Sequence, residues 1–92
     1  MKITLTESNI DSLIGQYIKC FEYVDADCGD LCYTLDEPFN ESNIVYQLIH
    51  DINIIGIYIC FKFDESDIDL YYSDEIEIFD TNPEPKFVSL DF

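Results

Sequence analysis

The stretch Asn53-Ile54-Ile55-Gly56-Ile57-Tyr58-Ile59-Cys60-Phe61-Lys62-Phe63 decides the fold class. An extended chain places Ile55, Ile57, Ile59, Phe61 and Phe63 on one side and Ile54, Gly56, Tyr58 and Cys60 on the other. A run that is apolar on both sides reads as a central strand with both faces covered. Further on, Ile68, Leu70 and Tyr72 alternate with Asp67, Asp69 and Tyr71, and Ile76 and Ile78 alternate with Glu75, Glu77 and Phe79. Period-two alternation predicts half-buried strands over residues 67–72 and 75–80. Directly opposed residues of an antiparallel pair share a face, and like charges there repel. Under both conditions the favoured hairpin sets Leu70 opposite Ile78 and Tyr71 opposite Glu77, with Ser73-Asp74-Glu75 as its loop.

Towards the N-terminus the period lengthens. Ile10, Leu13, Ile14, Tyr17, Ile18 and Phe21 recur at spacings of three and four. That stripe predicts an amphipathic helix capped by Thr6 or Ser8, although Gly15 weakens it by roughly 1 kcal/mol relative to alanine. A second stripe, Ile44, Val45, Leu48, Ile49 and Ile52, predicts a helix over about residues 41–52 with Asn40 as its cap. Residues 2–6 and 31–35 read as short strands and residues 23–30 as a loop. Asn82-Pro83-Glu84-Pro85 reads as a loop, because proline restricts itself and its predecessor. A last strand is expected over about residues 86–90. The elements together predict an α+β fold: a small antiparallel sheet, a meander in its C-terminal half, packed against two helices.

Ninety-two residues make one domain, since two pieces would each approach the ~40-residue limit below which a core needs outside help. Hydrophobic residues are 48% of the chain, too many for a disordered one. The charge is lopsided: 20 acids against four lysines and no arginine, for a net charge of −16. Nothing here can neutralise a run of phosphates, so nucleic-acid binding is excluded. Fourteen isoleucines, seven tyrosines, seven phenylalanines and one alanine carry the flavour of an AT-rich coding sequence, which would ordinarily supply lysine freely. Only Lys2, Lys19, Lys62 and Lys86 occur. Excess charge of one sign costs stability through self-repulsion, and a cationic partner is the simplest compensation.

Residues 1–8 hold no apolar stretch of signal-peptide length. The longest apolar run, residues 54–61, is far below the ~20 residues that span a bilayer, and anionic lipids would repel this surface. The expected location is the cytoplasm, where Cys20, Cys28, Cys32 and Cys60 stay reduced.

Few residues offer chemistry. Cys28 and Cys32 have knuckle-like spacing, but the second close pair that a zinc site needs is missing, and buried thiols are the better reading. Asp25-Ala26-Asp27-Cys28-Gly29-Asp30 opens like a calcium loop with Asp36 at the twelfth place, yet its glycine sits fifth instead of sixth. His50 has no evident nucleophile beside it. No enzyme, metal site or cofactor is expected.

The acids are what remain. Asp64, Glu65, Asp67, Asp69, Asp74, Glu75, Glu77, Asp80 and Glu84 form one group, and Glu22, Asp25, Asp27, Asp30, Asp36, Glu37 and Glu41 form a second. Next-but-one side chains on a strand stand about 6.6–6.8 Å apart, close to twice the ~3.4 Å rise per phosphate along one strand of B-DNA. A row such as Asp67 and Asp69 beside Glu77 can therefore present carboxylates at phosphate-like intervals. The alternative is an ordinary solvated face; the near-absence of basic residues favours a DNA mimic that competes for the lysine and arginine groove of a DNA-binding protein. Tyr71, Phe79 and Phe92 are candidate aromatic anchors, with core as their other reading.

In its 92-residue length, its opening Met1-Lys2-Ile3-Thr4-Leu5-Thr6, its AT-rich flavour and the acidity of residues 64–84, the chain resembles the anti-restriction nuclease (Arn) family of T-even phages. That resemblance implies inhibition of the host's McrBC nuclease, a GTP-dependent restriction enzyme, by a homodimer whose acidic faces extend a duplex-like surface. It also implies binding to nucleoid proteins such as H-NS. Two readings from other classes stand beside it: an immunity-type inhibitor of a basic toxin or nuclease that works through an apolar centre, and an acidic calcium-responsive binding module.

Overall fold

Isoleucine, tyrosine and phenylalanine dominate the apolar residues. Such side chains lose rotamer freedom in a helix and pack well on a pleated surface. The computed structural model describes residues 1–38 and 42–83, and most isoleucines, tyrosines and phenylalanines among them lie in eight strands. They are β1 (Lys2–Thr4), β2 (Tyr17–Val24), β3 (Leu31–Thr34), β4 (Asn43–Leu48), β5 (Asp51–Ile55), β6 (Tyr58–Lys62), β7 (Asp67–Leu70) and β8 (Glu75–Phe79).

These strands make two antiparallel sheets. In the five-stranded sheet β2 is central. One of its edges is filled by β4, from Tyr17 opposite Leu48 to Glu22 opposite Asn43. The other edge is shared: β8 pairs at Tyr17 and Ile18, and β3 pairs from Phe21 to Val24. β1 lies beside β8, with Ile3 opposite Ile76. The second sheet is the meander β5-β6-β7. The chain changes sheets at Ile49-His50. Ile49 donates its N–H to the Gln16 carbonyl at 2.9 Å and prolongs the β2–β4 ladder, whereas His50 donates to the Lys62 carbonyl at 2.8 Å and opens the β5–β6 ladder.

The inner faces meet in one apolar cluster. Ile18, Cys20, Ile76 and Ile78 come from the first sheet, and Ile59, Phe61, Ile68 and Leu70 from the second. Leu5, Ile10, Leu13, Ile49 and Phe63 close its ends. Each large side chain buried this way contributes about 1.5–3 kcal/mol. Among the described residues no buried side-chain nitrogen or oxygen lacks a partner.

The predicted pair of helices is absent, and the fold is mostly β instead of α+β. The only helical element among the described residues is a single 3₁₀ turn, Ile10–Leu13. Asn9 precedes it, but its side chain accepts from the Thr6 N–H and donates to the Thr4 carbonyl, tying the turn to β1. Thr6 and Ser8, the expected caps, bond each other at 3.0 Å. Gly15 then adopts φ +91° and the chain extends into β2. The second expected helix is β4, the sheet change and the start of β5. Its stripe does not hold one face, because Ile44 is exposed while Ile49 is buried. Its cap Asn40, with Glu41, lies outside the described residues, as do the strand expected at 86–90 and Phe92.

Two details of the sheet reading also change. Residues 53–63 are no single central strand: the chain reverses between Ile55 and Tyr58, which pair directly. Gly56 sits first in that two-residue loop with φ +61°, the positive φ at the first loop position that a type II′ hairpin turn requires. The β7 and β8 alternation is as expected, with Ile68, Leu70, Ile76 and Ile78 buried, yet the two strands do not pair. β7 joins β6, with Leu70 opposite Ile59 and Asp67 opposite Lys62, a register that sets a cation across from an acid. The turn at Tyr71-Tyr72-Ser73-Asp74 carries the chain back to the first sheet. Asp74 donates to the Tyr71 carbonyl at 3.2 Å across it, and Ser73 takes φ +81°. Among the described residues no helix is long and apolar enough to cross a membrane.

Candidate functional site

Cross-strand partners share a face, so the ladders assign the outer surface of the second sheet row by row. Asp51, Lys62 and Asp67 form one row, and Asn53, Cys60 and Asp69 the next. Ile55 and Tyr58 continue into a third row with Tyr71, whose ring centroid lies 5.1 Å from that of Tyr58. The face thus grades from acidic at one end to apolar and aromatic at the hairpin tip.

Within the acidic rows, one ligand atom each from Cys60, Asp67 and Asp69 lies within 4.8 Å of the others. Like charges at that separation repel by about 1 kcal/mol in bulk water and by more where water is excluded. Lys62 relieves part of this at 3.6 Å from Asp67. Burial and the hydrogen bond to Asp69 push the Cys60 thiol above its ordinary value, so it stands there as a neutral thiol. The protonated thiol is thus hydrogen-bonded to Asp69, while Asp67 is engaged by Lys62.

Beside this face runs an open seam. β3 and β7 are edge strands of different sheets, and the chain packs them side by side without a ladder. Two grooves lie between them and share Tyr33, Ile68 and Asp69. One, of about 380 Å³, adds Leu31, Cys32, Ser66 and Asp67. The other, of about 480 Å³, adds Asp36, Tyr71, Asp74 and Glu75 among its walls. The seam therefore joins Asp36 of the second acidic group to Asp67, Asp69, Asp74 and Glu75 of the first. Among the described residues Asp36, Asp69, Asp74 and Glu75 have no ion-pairing partner; Asp74 instead accepts the Tyr71 N–H at 2.8 Å.

The expected row of Asp67, Asp69 and Glu77 does not form. Glu77 is on the outer face of the other sheet, 3.8 Å from Lys19 and opposite Lys2 in register. The remaining acids are spread more widely. Asp64 and Glu65 occupy the turn after β6, where Asp64 contacts His50, and Asp80 is exposed just past β8. Asp25, Asp27 and Asp30 belong to the loop between β2 and β3, in which Asp25 accepts the Asp27 N–H at 2.8 Å. Glu22 accepts a hydrogen bond from the Tyr33 hydroxyl at 3.1 Å. Glu37 lines a separate groove of about 650 Å³ with Glu22, Val24 and Leu31. Glu84 lies outside the described residues. Of the cysteines, Cys20 and Cys60 are the buried thiols expected, but Cys28 is exposed and Cys32 half-buried.

Sequence reasoning missed the apolar tip. Ile54, Ile55 and Ile57 are 54%, 61% and 69% exposed, and Tyr58 and Tyr71 are 42% and 44% exposed. The signal available was Gly56 with one further residue between alternating apolar positions, which reads as a hairpin. No family model, curated protein or solved structure matches the chain.

Proposed function

We propose that the protein is a non-enzymatic DNA mimic that occupies the DNA-binding surface of a basic protein through the β3–β7 seam and the acidic rows beside it. The observation that carries this reading is the convergence of Asp36, Asp67, Asp69, Asp74 and Glu75 along two adjoining grooves that share Tyr33, Ile68 and Asp69; Lys62 pairs with Asp67 there, and Lys2 and Lys19 share a neighbouring groove with Glu75. A DNA-binding cleft lined by lysine and arginine gains from such a groove what it gains from phosphates: neutralisation, and attraction at a distance that quickens encounter. The acids outside the seam, at the β2–β3 loop and the turn after β6, add to the long-range field and not to the contact. The resemblance to the Arn family makes a McrBC-like restriction nuclease the first target to try and the nucleoid protein H-NS the second, with protection of phage DNA in the host cytoplasm as the outcome and a homodimer as the working assembly.

Capture from host lysate tests the proposal, first at low and then at moderate salt. The expected result is recovery of DNA-binding proteins that duplex DNA displaces. Recovery of none would refute it.

A further inference from the structure

The hairpin tip is exposed where the fold gains nothing from exposing it. Ile55, Tyr58 and Tyr71, with Ile57 in the loop beside them, form an exposed apolar surface of the kind that marks an interaction site in a soluble domain, whereas Ile54 belongs to the opposite face, across from Ile59. Its position is specific. Tyr71 touches Tyr58 on one side and lines the acidic groove on the other, so the patch and the groove are one continuous surface. Its composition is specific as well. The ten residues from Ile52 to Phe61 contain no charged side chain in a chain with 20 acids, while the next rows of the same face hold Asp69 and then Asp67.

We propose that the Ile55–Tyr58–Tyr71 row, extended by Ile57, is the apolar anchor of the same interface as the groove, and that its occupant is a basic protein surface on which apolar side chains adjoin lysine or arginine. The proposal rests on the reading of the groove as the binding face. Charge complementarity selects this occupant. A second copy of the chain seated on this patch would bring another −16 charge against its carboxylate rim, so a homodimer would join through a different face. A basic partner neutralises that rim, and its cations find both carboxylates and the faces of Tyr58 and Tyr71 within one contact. A strand tyrosine, Tyr58, packed against a turn tyrosine, Tyr71, with aliphatic neighbours is also a composition in which binding energy concentrates. The groove then supplies attraction and the tip supplies selectivity among basic proteins.

The test titrates the whole protein, at physiological ionic strength, with two labelled peptides of equal length and charge: one alternating lysine with glycine, the other alternating lysine with leucine. The wild type is expected to bind the lysine–leucine peptide about tenfold more tightly. Ile55→Ser is expected to abolish that preference and leave affinity for the lysine–glycine peptide unchanged; Ile57→Asn, at the most exposed position of the tip, serves as the second variant. Asp69→Asn with Asp74→Asn is expected to weaken both peptides alike. Equal binding of the two peptides by the wild type, or a preference that survives both tip variants, overturns the anchor alone. Binding of neither peptide overturns the groove reading and the anchor with it. A wild-type dimer in sedimentation that Ile55→Ser dissociates also overturns the proposal, because the occupant would be a second copy.

Discussion

Lys62 lies 3.6 Å from Asp67, directly across the β6–β7 ladder, and is the one described cation inside the acidic rows of the second sheet. Both side chains are about half exposed, so the pair contributes about 0–1 kcal/mol to stability. Its larger effect is on the field, since it cancels one of the carboxylates that the groove would otherwise present. Lys62→Ala is therefore expected to change the urea midpoint little while tightening binding to a cationic peptide and steepening its salt dependence. Weaker binding by this variant would mean that Lys62 itself makes a contact.

Ser73 is the one described residue other than glycine with a positive φ, +81°. A left-handed conformation costs an ordinary residue roughly 1–2 kcal/mol, so Ser73→Gly is expected to stabilise the protein by up to about 1 kcal/mol after the extra unfolded-state freedom of glycine is subtracted. The converse change, Gly56→Ala at φ +61°, is expected to destabilise by about 1 kcal/mol or more. Chemical denaturation of both variants checks the pair; a stable Gly56→Ala would argue against the β5–β6 turn.

How much of this was legible depends on which periodicity a segment obeys. The strands at residues 67–70 and 75–79 could be read because Ile68, Leu70, Ile76 and Ile78 alternate with acids there. The helices failed for a physical reason. Spacings of three and four also occur in apolar-rich strands, and residues 17–24 and 43–49 carry tyrosine, isoleucine, phenylalanine and valine, with no alanine, so local preference opposed the helical stripe. Gly15 reads in the sequence as a weak point in a helix, whereas at φ +91° it is the place where the chain turns into β2. Pairing partners were not legible at all. Parity allowed a β7–β8 hairpin, but nothing local told the chain that Ile59 and Phe61 offer Leu70 and Ile68 a better inner face. The acidic site was legible as composition and not as geometry: which acids share a groove follows from β3 and β7 being neighbours, a long-range fact.

The core gives a direct check on the two-sheet packing. Phe61 is fully buried between the sheets. Phe61→Ala is expected to cost about 3–5 kcal/mol, enough to leave so small a domain largely unfolded, as measured by urea denaturation. A cost near that of an exposed position, below about 0.5 kcal/mol, would contradict the packing.

Thiol chemistry separates the cysteines. Burial, with the Glu22 charge nearby, pushes the Cys20 thiol from 9.0 up to about 12. In the native protein Cys28 and Cys32 are expected to react with a thiol reagent quickly, and Cys20 and Cys60 only on unfolding. Linkage gives the sign for pH. Between 9.0 and about 12 the unfolded chain has lost the Cys20 proton and the folded chain retains it, so stability is present below that window and falls as the pH rises through it. Cys20→Ala should flatten the fall, as followed by denaturation across the alkaline range.

The central claim is that the seam carboxylates take the place of DNA phosphates, and competition for a DNA-binding site tests it most directly. A labelled duplex bound to a McrBC-like nuclease is titrated with this protein and followed by fluorescence anisotropy. The account predicts release of the duplex, a requirement for more protein as free DNA is raised, and a loss of at least about tenfold in potency when Asp36, Asp69, Asp74 and Glu75 are changed to their amides, since hydrogen bonds to charged groups contribute about 1.5–3 kcal/mol each. A duplex that stays bound at saturating protein, or amide substitutions that compete as well as the wild type, would contradict it.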